Sequence, residues 1–160
     1  MKRERAEGFE PVWDENSRLL VLGSFPSVKS RAQGFYYGNP QNRFWRTLAR
    51  FFGADEPKNP EARRSFVLEH NIALWDVVAS CSIVGSSDAS IADVELAQIP
   101  TLIKKSRIAA IFCNGGKSHD LLSKHFPELL SMTRKLSSTS PANPRFSEGE
   151  WFSALSEVFT

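Results

Sequence analysis

The stretch that decides the fold is Leu19-Leu20-Val21-Leu22-Gly23-Ser24-Phe25-Pro26-Ser27. Four consecutive apolar residues stopped by a glycine read as a strand covered on both faces, because a half-exposed strand alternates apolar with polar. Such strands belong to parallel sheets flanked by helices. The loops leaving their carboxyl ends converge on one crevice. The polar turn after Leu22 therefore falls where an α/β protein keeps its site.

The same signal recurs on both sides. Ile72-Ala73-Leu74-Trp75-Asp76-Val77-Val78 and Ile108-Ala109-Ala110-Ile111-Phe112 read as two more buried strands, and Thr133 to Leu136 as a short last one. A long polar and aromatic loop is expected after Gly23, to about Gly38. Asn39-Pro40 is expected to open a helix, with Asn as N-cap and Pro at the first helical position. Phe44, Trp45, Leu48, Phe51 and Phe52 form the apolar face of that helix, and Gly53 closes it.

Asn59-Pro60 opens a second helix, to about Glu69. Cys81 to Ile91 is read as loop, and Asp93 to Lys105 as helical with a break at Pro100. A helix is expected from about Lys117 to His125. Ser147, with Glu150 three residues on, signals a capping box. The helix it starts carries Trp151, Phe152, Leu155, Val158 and Phe159 on one face.

Strands alternating with helices predict an α/β fold, a three-layer α/β/α sandwich around a central, mostly parallel sheet of about four strands. A length of 160 residues suits a single domain, 1–160, with 1–15 as a loosely ordered lead-in.

Composition narrows the function classes. The 41% hydrophobic content supplies a core, and a net charge of +2 is compatible with DNA contact without arguing for it. No stretch approaches the ~20 apolar residues that cross a membrane. The charged start, Met1-Lys2-Arg3-Glu4-Arg5, has no apolar run behind it, so no signal peptide is expected. Two cysteines, Cys81 and Cys113, make neither a disulfide framework nor a zinc site. They fit a reduced, cytoplasmic protein. His70, His119 and His125 have no metal spacing, so no metal, iron–sulfur cluster or other cofactor is expected. A monomer is the plain expectation for this size.

Two distant segments carry the chemistry. The first is Gly23 to Ser27 together with Tyr36-Tyr37-Gly38-Asn39-Pro40-Gln41-Asn42-Arg43-Phe44-Trp45. The second is Ser138-Thr139-Ser140-Pro141-Ala142-Asn143. Rich in Ser, Asn, Gly and aromatic residues, they suit a wall that grips phosphates and a slot that takes a flat ring.

Together these residues resemble the uracil-DNA glycosylase superfamily. The Gly-x-x-Pro-Ser turn is similar to its first motif, and Ser-Thr-Ser-Pro-Ala-Asn to its DNA-pinching second motif. The Asn-Pro-x-Asn-Arg-Phe-Trp segment resembles its mismatch-specific branch. The Tyr-Tyr-x-Asn-Pro-x-Asn and Ala-Leu-Trp-Asp-Val segments resemble the hypoxanthine-DNA (deoxyinosine) glycosylase branch. The resemblance covers Leu19 to Phe159.

It implies hydrolysis of the N-glycosidic bond of a deaminated base flipped out of DNA, deoxyinosine favoured. Two positions depart from the superfamily. Phe25 stands where most branches place the Asp or Asn that orients water. Ser140 stands where many place a His or Asn. In the deoxyinosine branch the polar work is attributed to the Asn that falls at Asn39, which makes Asn39 the catalytic candidate.

Tyr37 is assigned the stacking face by the same resemblance, and Phe25 an apolar wall. Ser24 and Asn114, at the ends of neighbouring strands, are candidates to read the base edge. Ser27, Ser138, Ser140 and Lys117 are candidates to hold phosphates. A carboxamide does not titrate near neutrality, so the scheme predicts a nearly flat rate between about pH 6 and 8.

Asp76 and Asp88 are the nearest to catalytic acids. Asp76, at an apolar strand end, reads equally as a carboxyl bonded to the backbone. Two other readings stay open: a uracil or mismatch-specific glycosylase that uses a different polar group, and a catalytically inactive DNA- or nucleotide-binding module.

Overall fold

The apolar run at Leu19–Gly23 is buried at every residue. It lies inside a four-stranded sheet whose strands all run parallel. The computed structural model describes residues 2–160. Its strands are β1 (Arg3–Glu7), β2 (Leu19–Gly23), β3 (Ile72–Asp76), β4 (Val78–Val84), β5 (Ala92–Leu96), β6 (Ala110–Asn114) and β7 (Thr133–Leu136). Its helices are α1 (Val28–Gln33), α2 (Phe44–Phe52), α3 (Pro60–Glu69), α4 (Ile99–Lys104), α5 (Gly116–His125) and α6 (Glu148–Phe159).

The central sheet has the order β3-β2-β6-β7. Alternate residues of its strands feed two cores. Leu19, Val21, Ile72, Leu74 and Phe112 pack with Leu48 of α2, Phe66 of α3 and Trp151 of α6. Leu20, Leu22, Ala73, Ile111 and Cys113 pack with Leu102 of α4 and Leu121 and Leu122 of α5. A sheet covered on both faces is the physical reason for the unbroken apolar runs. The register sets Gly23 beside Asp76, so the carboxyl ends of β2 and β3 finish level.

The N-terminal and middle segments correct the sequence reading. Arg3–Glu7, expected to be loosely ordered, pairs antiparallel with β4, and β4 pairs with β5 to make a separate three-stranded sheet. Only Ala6 of β1 is buried, so the strand leaves almost no hydrophobic signature. It is held by the ladder and by arginines: Arg5 donates to Ser80 Oγ at 2.8 Å and Arg3 to the Ser90 carbonyl at 2.8 Å. Ala6, Cys81 and Ile83 tuck this small sheet onto the α4–α5 side of the core. The presumed helix over Asp93–Lys105 is β5 followed by α4, with Pro100 in the first turn of α4, where its missing N–H costs nothing.

Two corrections fall near the motifs. The loop expected to run to Gly38 contains α1, capped by Ser27, whose Oγ accepts from the Ser30 N–H. Asn39 does not cap α2, which starts at Phe44. Asn39 Oδ1 takes the Gln41 N–H and Asn42 Oδ1 takes the Phe44 N–H. Two successive side-chain turns satisfy donors that a helix start would otherwise use. The capping box at α6 is half formed. Ser147 Oγ accepts from the Glu150 N–H, but the Glu150 carboxylate reaches the Ser137 N–H instead.

Candidate active site

Gly23 and Ser140, distant in sequence, line one pocket across the carboxyl ends of β2, β3 and β6. Ser24, Phe25, Ser27, Tyr37, Asn39, Asn114 and Ser138 line it as well. Lys117, expected to hold phosphate, does not line it. It borders a separate groove with Asp93, Asp120, Lys124 and His125. Lys117 lies in the first turn of α5, on the side of the helix that faces β5.

The floor is set by Gly23. A β-carbon there would lie 2.4 Å from Asp76 Oδ1, so only glycine lets the Asp76 carboxyl fold against the end of β2. Ser24 Oγ donates to Asp88 Oδ1 at 2.9 Å, which leaves its oxygen as an acceptor. Phe25 is buried in the wall, with the Arg31 guanidinium 5.5 Å over its ring.

The two adjacent tyrosines divide their roles. Tyr36 belongs to the core, and its hydroxyl donates to the Glu10 carbonyl at 2.9 Å. Tyr37 sits at φ +52°, a left-handed conformation that a non-glycine residue keeps only under constraint from its surroundings. Its ring lies 4.2 Å from that of Phe44. Its hydroxyl is buried and meets no partner at good hydrogen-bond geometry, although the Asn114 amide lies close enough to favour its charged form slightly. Burial raises both phenol pKa values, so both rings keep their protons. Asn39 holds the Gln41 N–H with its oxygen, and its NH2 group has no hydrogen-bond partner among the described residues.

The opposite wall is held from behind. The Arg43 guanidinium donates to the Ser140 carbonyl and, at 2.7 Å, to the Asn143 carbonyl. The Arg43 N–H bonds the Thr139 carbonyl at 3.1 Å. Asn114 donates from Nδ2 to Thr139 Oγ1 at 3.0 Å and accepts the Thr139 N–H at 2.9 Å. Asn114 therefore borders the pocket while both ends of its amide hold the loop. Gly115, at φ +99°, lets Ser138 approach to where a β-carbon would be 3.1 Å from its Cβ. Ser138 Oγ accepts the Ser140 N–H and Ser140 Oγ accepts the Ala142 N–H, which leaves both hydroxyl protons free.

Arg43 was read only as part of a motif; the structure makes it the brace of the second loop. Arg43→Ala should cost roughly 2–3 kcal/mol, the value of charge-assisted bonds to otherwise orphaned carbonyls. Urea unfolding checks this, and a change within the scatter of ordinary surface substitutions would show that the loop stands without it.

Asp76 is the group whose role the sequence left open. It is 4% exposed, it borders the pocket, and its Oδ2 has no partner. Burial first, then the charge of Asp88, pushes its pKa up to about 7, while the Gly23 main chain pulls the other way by hydrogen bonding the charged form. The expected flat pH dependence took no account of this carboxyl, which borders the site and is pushed up into that window. The signal was available: an ionisable residue ends a buried parallel strand, in register with the motif glycine.

Cys113 is buried and its thiol is pushed up to about 12 by that burial, so it is no nucleophile. Among the described residues no group of three His, Cys, Asp or Glu is placed to hold a metal ion.

Known proteins resemble this chain in sequence and fold. The family model for the uracil DNA glycosylase superfamily matches residues 10–158. The chain is 37% identical over 151 residues to a protein of Methanosarcina acetivorans named hypoxanthine DNA glycosylase, covering 90% of this chain and 94% of that one. A Methanosarcina barkeri protein of the same name is 36% identical over 146 residues, covering 88% and 90%. The solution NMR structure of a Methanosarcina acetivorans protein, described as a candidate uracil DNA glycosylase, superposes with a TM-score of 0.80 at 34% identity. It covers 97% of this chain and 99% of that one.

Proposed function

The chain belongs to the uracil-DNA glycosylase superfamily, and from that membership we propose that it is a DNA glycosylase that hydrolyses the bond joining a deaminated base to its sugar, with deoxyinosine favoured. The observation that carries the reading is the meeting of the two motif loops around one pocket at the carboxyl ends of the sheet. The names of the Methanosarcina relatives support the choice of base.

The base inside a duplex is shielded, so the nucleotide must rotate out at a cost of a few kcal/mol. An inosine in a mismatch leaves the stack more easily than a well-paired base. The free hydroxyl protons of Ser138 and Ser140 are donors suited to phosphate oxygens, whereas the Ser27 hydroxyl already donates to Ser30 Oγ at 3.1 Å. Such contacts carry no base code and so suit a reader of lesions. Phe25 and Tyr37 wall the slot for the flat base.

Bond cleavage gives the sugar positive and the base negative character, and stabilising that separation is mainly electrostatic work. The NH2 group of Asn39 is a fixed donor for the departing base. The reading carries with it a monomer that acts on DNA in the cytoplasm and needs no cofactor. No helix among the described residues is long and apolar enough to cross a membrane.

Oligonucleotides with a single inosine, uracil or xanthine test the reading. Inosine should give the most abasic product, revealed by alkali after quenching. Product chiefly from uracil would point to the mismatch-specific alternative. Binding with no product from any of the three would leave an inactive DNA-binding module.

A further inference from the structure

We propose that Asp76 and Tyr37 form a pair of O–H donors that hold the O6 and N7 edge of the flipped 6-oxopurine, and that Asp76 passes its proton to N7 as the glycosidic bond breaks. This rests on the glycosylase reading above and adds the acid that reading lacks.

Three buried side-chain polar atoms in the described structure have no partner, and two of them, Asp76 Oδ2 and Tyr37 Oη, belong to residues that line this pocket. A buried polar atom left unpaired costs free energy, so a native site that keeps two of them on residues lining one pocket points to a ligand that pairs with them. Both crowd Gly23: a β-carbon there would lie 2.4 Å from Asp76 Oδ1 and 3.5 Å from the Tyr37 hydroxyl. The Asp76 carboxyl and the Tyr37 hydroxyl therefore both lie against Gly23 at the end of β2.

The ligand must offer acceptors. Burial keeps the Tyr37 phenol protonated. Asp76 sits beside the acid Asp88 and near the phenols Tyr36 and Tyr37, with Cys113 close to Tyr37, and no cation is among the groups that shift it. A neutral carboxyl is the form these surroundings favour. Two donors match the edge of hypoxanthine that presents O6 and N7, both acceptors. Adenine places an amino group at C6, which turns a donor toward a donor. Uracil has no N7.

The step balances. The C1′–N9 bond breaks and its electron pair passes to the purine. Asp76 Oδ2–H gives its proton to N7, so the base leaves as neutral hypoxanthine protonated at N7. Water bonds to C1′, and the proton it sheds restores the carboxyl. Asn39 donates to the same departing base from its NH2 group.

Excision of inosine from an oligonucleotide, under single turnover with protein in saturating excess, is measured from about pH 5.5 to about 8.5. The wild-type rate should hold level in acid and fall by about tenfold per unit above the titration of Asp76. Asp76→Asn keeps a donor but no transferable proton. It should be roughly 10²-fold slower at low pH and lose the slope. Tyr37→Phe should slow excision and leave the midpoint in place. A flat wild-type profile, or an Asp76→Asn profile parallel to the wild-type one, overturns the proposal and leaves the glycosylase standing. No product from wild type at any pH overturns both. The wild-type and Tyr37→Phe profiles decide the matter even where Asp76→Asn fails to fold.

Discussion

Asn39→Ala should lower the single-turnover rate of inosine excision by roughly 10²–10³-fold, the loss that follows removal of one preorganised donor from a site of developing charge. The fold should survive. Asn39 lies in a turn outside any helix, and its one side-chain bond is to the Gln41 N–H at 3.0 Å. Losing that bond costs about 1 kcal/mol. The loss should appear in the rate of the chemical step and not in DNA binding, because the NH2 group acts on charge that arises only as the bond breaks. A filter-binding constant near wild type with a collapsed rate is the expected pair. Asn39→Asp should be no rescue, since it exchanges the donor for an acceptor in a pocket that already holds Asp76 and Asp88. An Asn39→Ala rate equal to wild type would remove Asn39 from the mechanism.

The parts of the fold that were legible are those whose signal is burial. Leu19–Gly23 has the bounds its pattern suggests, because a parallel strand covered on both faces excludes polar residues. Thr133–Leu136 also has the expected bounds, but as an edge strand exposed at Arg134 and Lys135. The small antiparallel sheet was not legible. Its two edge strands read Arg-Glu-Arg-Ala-Glu and Ala-Asp-Val-Glu-Leu, and they are held to the more apolar β4 by backbone ladders and arginine bonds. Such polar strands look like solvated chain.

The site divides the same way. Gly23, Phe25, Tyr37, Asn39, Ser138 and Ser140 were legible as motif residues, and one pocket gathers them. Lys117 was placed as charge beside the helix start after Gly115-Gly116, and it borders instead a separate groove toward β5. Asn114 was expected to face a base, yet its amide is committed to Thr139, a pairing across 25 residues that no local pattern reveals. The loop brace by Arg43 is hidden for the same reason: its acceptors are backbone carbonyls 97 and 100 residues away.

Asp76→Asn should stabilise the protein, and do so only where the carboxyl would be charged. The carboxyl titrates at 3.8 when unperturbed and at about 7 in the fold. Between those values the folded state binds more protons than the unfolded chain, so stability falls as pH rises through the window. The contribution is intact below the unfolded value and gone above the folded one. Some three pH units at about 1.4 kcal/mol each set the full effect near ~4 kcal/mol.

An isosteric amide carries no such charge, so the advantage of Asp76→Asn over wild type should grow by roughly 3 kcal/mol between pH about 5 and about 8. Urea midpoints of both proteins at the two pH values measure it. A constant difference would mean that Asp76 titrates normally and that its burial is relieved on a scale the structure does not contain. A large, pH-dependent gain from removing one carboxyl would mark Asp76 as a residue kept against stability, which is the behaviour of a group retained for chemistry.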